Sequence, residues 1–112
     1  MERYLYVFRG GSGMGQTPEE IQAHMGRWGS WMEELGKQGK LEGGEPLESE
    51  GRMVKSGGNV VTDGPFAEGS EVVGGYLLVK ANSYDEAAEM SKGCPIFEYD
   101  DGTVEVRQIA KM

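Results

Sequence analysis

Two side chains in this sequence have the chemistry for general acid–base catalysis, His24 and Asp63. His24 is the only histidine of the chain, and histidine is the side chain whose ordinary pKa lies closest to neutrality. Asp63 begins the tetrapeptide Asp-Gly-Pro-Phe of residues 63–66. A carboxylate next to an imidazole orients the ring and favours its charged form, so the two residues are a candidate proton-transfer pair.

Each of these residues also has a purely structural interpretation. His24 falls within a predicted apolar helix stripe, where a hydrogen bond to backbone would satisfy it. The dipeptide Asp63-Gly64 is typical of tight turns, in which the Asp side chain bonds to backbone two residues on. The two acids that follow, Glu68 and Glu71, are expected to be solvated or paired with arginine. The structural and the catalytic interpretations both stay open.

Aromatic and basic side chains supply the other candidates for a binding site. Several aromatic residues would either line a pocket between helix and sheet or form the core there: Tyr4, Tyr6, Trp28, Trp31, Phe66 and Tyr76. Arg9 or Arg107 would hold an anionic group of the ligand. We therefore expect a pocket near the Asp63 turn that takes a small polar or aromatic molecule.

Cysteine and histidine usage limits the remaining chemistry. The single cysteine, Cys94, cannot form a disulfide within the chain, which fits a reducing compartment such as the cytoplasm. Cys94 precedes Pro95 at a predicted helix end, and we interpret it as buried and inert. One histidine and one cysteine cannot supply a closed zinc site, so neither a metal nor another cofactor is predicted.

The charge balance argues against two classes of partner. The 112 residues include 19 acidic and 11 basic side chains, for a net charge of −8. That sign repels nucleic-acid phosphate and anionic membrane surfaces, so neither is expected as a direct partner. The longest apolar run, Val72 to Val79, is too short to span a bilayer, and a soluble cytoplasmic protein is expected.

The glycine-rich segment of residues 10–15, Gly-Gly-Ser-Gly-Met-Gly, has a spacing that resembles a phosphate-binding loop. It lacks both the lysine of a nucleotide-binding loop and the third glycine of a dinucleotide-binding one. A mobile loop is the favoured interpretation.

The elements that must position these residues alternate between strand and helix patterns. A first strand is predicted over Arg3–Arg9, and a helix begins after a Thr17 cap and ends near Gln38. At about 100° per residue, one apolar stripe of this helix contains Ile21, His24, Met25, Trp28, Trp31, Met32 and Leu35. Further strands are predicted over Leu41–Glu50 (with a bulge at its glycines), Arg52–Lys55, Val60–Thr62 and Glu71–Ala81. A helix over Tyr84–Lys92 and a strand over Thr103–Ile109 follow.

This order predicts a single α+β domain over residues 1–112, with a ferredoxin-like antiparallel sheet and two helices on one face. The first strand and Val72–Val79 are apolar on both faces, while two helices cover only one. We therefore expect a homodimer in which a second copy of the chain covers the other face.

The chain resembles the YciI-related family, in the branch named for its Asp-Gly-Pro-Phe tetrapeptide. The matching segments span nearly the whole chain: FRGG (8–11), TPEE (17–20), the W-x-x-W helix (28–31), VTDGPFAE (61–68), VVGGYLLV (72–79), SYDEA (83–87), CPIFE (94–98) and VEVR (104–107). The resemblance implies a ferredoxin-like fold that dimerises into an α+β barrel.

The resemblance leaves two functions open. Similar domains are suggested to be small cofactor-independent enzymes that use a His–Asp pair. Others are associated with sigma-factor-like transcription regulators, which implies a non-enzymatic regulatory protein with a protein partner. A closed pocket with both His24 and Asp63 would favour the enzyme, and an exposed apolar patch would favour the regulator.

Overall fold

The computed structural model of the chain describes residues 1–11, 16–64 and 72–112, without the side chains of residues 63 and 64. Within these ranges the elements are β1 (Glu2–Arg9), α1 (Pro18–Lys37), β2 (Leu41–Pro46), β3 (Gly51–Lys55), β4 (Val60–Gly64), β5 (Val73–Ala81), α2 (Tyr84–Ser91), a 3₁₀ helix (Pro95–Glu98) and β6 (Thr103–Gln108). Most of the glycine-rich segment, residues 12–15, and the acids Glu68 and Glu71 lie outside the described residues.

Four strands form an antiparallel sheet in the order β2-β5-β1-β6, and β3 pairs with β4 in a separate two-stranded sheet. Without β3 and β4, the remaining elements follow the β-α-β-β-α-β order of a ferredoxin-like fold. The prediction of an α+β fold with an antiparallel sheet is confirmed. The sequence did not predict that β3 and β4 would leave the main sheet.

Local sequence signals explain where both helices begin and where the first one ends. The Thr17 side chain accepts the backbone N–H of Glu20 at 3.2 Å, and Ser83 accepts that of Glu86 at 3.1 Å. Each hydroxyl thereby satisfies one of the unpaired donors at a helix start. After α1, Gly39 has a φ of 71°, a left-handed conformation that favours glycine and turns the chain into β2.

The core lies between the sheet and the helices. On the sheet side it contains Tyr4, Tyr6, Phe8, Leu77, Val79 and Ala81, and on the helix side Leu35, Ala87, Cys94 and Ile96. Tyr6 is fully buried, and its hydroxyl donates to the backbone carbonyl of Ala87 in α2. This hydrogen bond joins the central strand to the second helix, and burial raises the pKa of the phenol.

The α1 stripe is narrower than the sequence predicted. His24 and Leu35 are buried, and Trp28, Trp31 and Met32 are half-buried. Ile21 and Met25, by contrast, are 46% and 61% exposed, so these two members of the apolar stripe do not join the core. In the first turns of α1 only His24 reaches the buried side, which narrows the apolar contact there.

The second face of the main sheet has a half-buried apolar centre. Strand pairing places Leu5, Val7, Tyr76 and Leu78 on this face, opposite to the helices. Ion pairs flank them: Arg3 with Glu42 at 2.9 Å and Arg9 with Glu105 at 2.6 Å. We call the surface formed by these eight residues the open face.

Replacing Tyr6 by Phe tests the link between β1 and α2. The change leaves the buried Ala87 carbonyl without its donor, and we expect it to lower the free energy of unfolding by about 1–2 kcal/mol in urea titrations. Tyr99→Phe is the matched control, since its hydroxyl bonds to the Gln16 side chain in a partly exposed place. Equal losses for the two variants would contradict this role of Tyr6.

Candidate functional site

His24 lies on the buried side of α1, 7% exposed, and both of its ring nitrogens have a partner. Nδ1 lies 2.9 Å from the Oε1 atom of Glu98, at the end of the 3₁₀ helix. Nε2 lies 2.9 Å from the indole nitrogen of Trp28, one helical turn further along α1. The Tyr99 ring packs on the imidazole with a centroid separation of 4.7 Å.

These partners define the tautomer of a neutral His24. An indole N–H is a donor only, so Nε2 must accept from Trp28 with its lone pair. Nδ1 must then carry the proton and donate it to the Glu98 carboxylate. Protonation of Nε2 would turn two N–H groups towards each other and break the bond to Trp28.

Glu98 is held by a second partner, Arg27. The guanidinium donates from Nε to Oε2 at 2.6 Å and from Nη2 to Oε1 at 2.7 Å, a bidentate pair. The Arg27 hydrogen bonds, and after them the one to His24, lower the pKa of Glu98 to about 2. The carboxylate is therefore charged at neutral pH, and it joins the 3₁₀ helix to α1.

Trp28 and Trp31 join this polar group to the aromatic core. The Trp28 ring meets Phe8 edge to face at a centroid distance of 5.0 Å, and Trp31 lies nearly parallel to Tyr6 at 6.3 Å. The Trp31 indole donates to the carbonyl of Met90 at 3.3 Å. Packing against Phe8 and Trp31 places the Trp28 indole at the Nε2 atom of His24.

A cleft opens beside the Arg27–Glu98 pair, between α1 and residues 93–98, which include the 3₁₀ helix. Its volume is about 580 Å³, and it is lined by Arg27, Ser30, Trp31, Gly93, Cys94, Pro95, Phe97 and Glu98. We call it the α1 cleft. Clefts of several hundred Å³ are large enough for a small-molecule ligand.

Cys94 lines the α1 cleft but is only 3% exposed, which confirms the prediction that it is buried. Burial raises the pKa of its thiol to about 12. The thiolate is the nucleophilic form of cysteine, so this side chain is not a nucleophile at neutral pH.

The structure brings some of the predicted site residues together. Tyr6, Trp28 and Trp31 lie on the helix side of the sheet next to His24 or to the core beside it. Asp63 lies at the end of β4, in the two-stranded sheet, and its side chain is outside the described part. Phe66 is outside it entirely. A contact between Asp63 and His24 therefore stays a prediction.

Other predicted residues lie on the open face. Tyr76 pairs with Val7, whose side chain points away from the helices, so its assignment to a pocket with Trp28 and Trp31 is corrected. Arg9 lies at the edge of the same face and is neutralised by Glu105. Arg107 is exposed opposite Leu5.

Glu98 and Arg27 are the site residues that the sequence did not predict. Glu98 belongs to the segment CPIFE, which carries the family resemblance, but it is 74 positions from His24. Arg27 follows His24 by three positions, a spacing that places both on one side of the helix. That spacing is the one sequence signal for the Arg27 role.

Neither a metal site nor a membrane helix is found in the described ranges. No three potential ligands among His, Cys, Asp and Glu converge there. Within the same residues, no helix is long and apolar enough to cross a membrane.

Comparisons with known proteins give one family and one informative fold. The sequence model of the YCII-related domain matches residues 12–112. Among solved structures, 5-chloro-2-hydroxyhydroquinone dehydrochlorinase (TftG) from Burkholderia phenoliruptrix AC1100, in complex with 2,5-dihydroxybenzoquinone, superposes with a TM-score of 0.51 at 15% identity. The match covers 96% of this chain and 93% of TftG, which is similarity of fold. No curated protein sequence matches the chain significantly.

The pH dependence of stability tests the Glu98 carboxylate. Its pKa of about 2 in the folded chain lies below the ordinary value of 4.5, so the unfolded chain binds this proton more tightly. The stabilisation is thus complete above pH 4.5 and is lost as the pH falls towards 2. We expect the difference in unfolding free energy between wild type and Glu98→Gln to shrink over that range in urea titrations.

The control for this experiment is Glu33→Gln, which removes an exposed ion pair with Lys37 on the outer side of α1. Exposed pairs of this kind contribute at most about 1 kcal/mol. A difference between wild type and Glu98→Gln that stays constant from pH 7 to pH 2 would contradict the proposed role of the Arg27–Glu98 pair.

Proposed function

The chain belongs to the YCII-related domain family, and from this premise we propose that it is a small-molecule enzyme that works by proton transfer without a cofactor. His24 is the acid–base group of the proposal. The observation that carries it is the carboxylate–imidazole pair, in which Glu98 lies 2.9 Å from Nδ1 of a nearly buried histidine. Such a pair orients the ring and stabilises the imidazolium that forms when the ring takes up a proton.

The neighbouring titratable groups support this assignment by elimination. A group that exchanges protons near neutrality needs a pKa in that range. The pKa of Cys94 is about 12 and that of Glu98 about 2, so both keep one protonation state at neutral pH. Of the described side chains around this site, His24 is left as the proton carrier.

In the proposed step, the substrate takes the place of one hydrogen bond. A substrate hydroxyl or C–H acid replaces the Trp28 indole N–H at Nε2 and gives its proton to that atom. The resulting imidazolium keeps its Nδ1–H bond to Glu98. In an isomerisation the proton then leaves Nε2 for another atom of the same substrate. In a dehydrochlorination chloride leaves the ring with the C–Cl electron pair, and the proton passes from Nε2 to water. Either route returns His24 to its neutral form.

Asp63 is the second candidate residue of the proposal. The Asp-Gly-Pro-Phe turn would bring its carboxylate, and the ring of Phe66, to the edge of the substrate site. With Glu98 at Nδ1, Asp63 would act on the substrate rather than orient the imidazole.

The proposed substrate is a small oxygenated ring compound. TftG, which shares the fold, is a dehydrochlorinase of a hydroxylated ring and was solved with a dihydroxybenzoquinone. The aromatic surroundings of His24, formed by Trp28, Trp31 and Tyr99, suit a planar molecule of this size.

The test compares turnover of a panel of hydroxylated and chlorinated quinones and hydroquinones, followed by absorbance and chloride release. We expect His24→Gln to lower kcat/KM by roughly 10²–10⁴-fold, the usual contribution of general acid–base catalysis. Glu33→Gln, on the outer side of α1, is the control and keeps wild-type rates. Equal rates in wild type and His24→Gln, or no turnover of any compound, would refute the enzyme proposal.

A second candidate function is docking to a regulatory protein. The observation that favours it is the two-stranded sheet, where Met53, Val54, Val60 and Val61 are 39%, 56%, 36% and 60% exposed. An apolar strand pair that remains exposed is a typical interaction surface. Two results together would establish this alternative. The chain would turn over none of the compounds, and its Val54→Lys variant would lose binding to a specific protein partner.

We also propose that the chain is a homodimer, with the open face as its interface. The apolar centre around Leu5 and Leu78 is flanked by ion pairs, a pattern that suits the apolar core and polar rim of an interface. A second copy of the chain would complete the cover of β1 and β5.

Light scattering after size exclusion tests the homodimer. Wild type is expected at twice the 12.2 kDa mass of the chain, and Leu78→Glu as a monomer, because a charge would be buried in the interface. Met25→Glu, on an exposed position of α1, is the matched control and remains dimeric. A wild-type monomer at micromolar concentration would refute the proposal.

A further inference from the structure

The α1 cleft offers two kinds of contact to a ligand, flat aromatic surface and a charged donor. Trp31 and Phe97 both line it, and Phe97 is 47% exposed although its ring is apolar. A large exposed ring beside a half-buried indole supplies stacking surface for a planar molecule. The remaining lining, which includes Gly93 and Pro95, adds no bulky side chain to fill the space.

Arg27 supplies the charged donor at the rim of the same cleft. Its Nε and Nη2 atoms are used by Glu98, but among the described residues no acceptor bonds to Nη1. A guanidinium has five N–H groups, so at least two remain for a ligand. The side chain is 54% exposed, and Glu98 holds its plane in one orientation, which lowers the entropic cost of binding an oxyanion.

The carboxylate of Glu98 limits which ligands fit. Its two oxygens already accept from Arg27 and His24. A second anionic group on the ligand would meet this negative charge, whereas a hydroxyl would donate to it or to Ser30. A single anionic oxygen group on a ring, with at most neutral polar substituents, satisfies all of these contacts.

From these contacts we infer that the α1 cleft binds a small planar aromatic compound with one anionic oxygen group, an aromatic carboxylate or phenolate. The anion takes the free Nη1 donors of Arg27, and the ring lies against Trp31 and Phe97. This inference rests on the proposed small-molecule function and names its ligand class. Glu98 lines the cleft and also bonds to His24, so this one side chain lies between the bound ligand and the imidazole.

Salicylate is the probe for this inference, followed by two-dimensional NMR of the isotope-labelled full chain. We expect saturable shifts at the Trp31 indole N–H and at the amides of Gly93 and Phe97. Cyclohexanecarboxylate keeps the charge without the aromatic ring, and benzyl alcohol keeps the ring without the charge. Each of these two compounds is expected to bind at least roughly tenfold more weakly than salicylate.

Two variants distinguish binding in the α1 cleft from binding elsewhere on the surface. Arg27→Lys removes the planar donor and is expected to raise the Kd for salicylate roughly tenfold. Lys37→Gln is the control, because Lys37 also pairs with a carboxylate on α1, that of Glu33, but on the outer side of the helix. It is expected to leave the Kd unchanged.

The inference is overturned if salicylate causes no saturable shifts in the α1 cleft. It is overturned equally if cyclohexanecarboxylate binds as well as salicylate, or if Lys37→Gln and Arg27→Lys weaken binding alike. These outcomes are independent of turnover, so loss of activity in His24→Gln without salicylate binding in the cleft refutes the ligand site alone. Salicylate binding without turnover refutes only the enzyme.

Discussion

The structure depends on two central strands that are apolar on both faces, while the helices cover only one of them. Tyr6 in β1 is fully buried under α1 and α2, and Val7, the next residue, lies on the open face. Burying apolar surface is the main source of stability, at about 25 cal/mol per Å². In a monomer the apolar centre of the open face is only half-buried, so it contributes less to stability than full burial would. On the helix side of the same strands lies the candidate site, where His24 is nearly buried.

Within that layer, one carboxylate joins parts of the chain that are distant in sequence. Glu98 belongs to the 3₁₀ helix, yet its partners Arg27 and His24 both lie on α1. A nearly buried imidazole needs partners for both nitrogens, and Glu98 and Trp28 provide them. Because Arg27 keeps the carboxylate charged, His24 has a fixed donor side and a fixed acceptor side. The arrangement stabilises the fold and fixes the orientation of the ring through the same contacts.

Sequence reasoning predicted the fold where the signals are local. The Thr17 cap, the end of α1 near Gln38 and the bulge near the glycines of β2 follow from the chemistry of single residues. It failed where the outcome depends on long-range pairing. The face on which Tyr76 lies follows from the register between β1 and β5, and a shift of one residue would reverse it. The partner of His24 could not be predicted either, since no local pattern joins residues 24 and 98.

The fold that this chain shares with TftG does not by itself determine the chemistry of the site. At 15% identity the likeness to TftG establishes how the strands and helices are arranged, and residues on that framework decide what reacts. In this chain the decisive feature is that Glu98 has two roles. It lines the α1 cleft, and it accepts the hydrogen bond from Nδ1–H of His24. A ligand anion at the Nη1 atom of Arg27 would share the guanidinium with Glu98, and Glu98 shares its carboxylate with His24. One carboxylate therefore links the rim of the cleft to the buried imidazole, a link that neither the fold nor the histidine alone would provide.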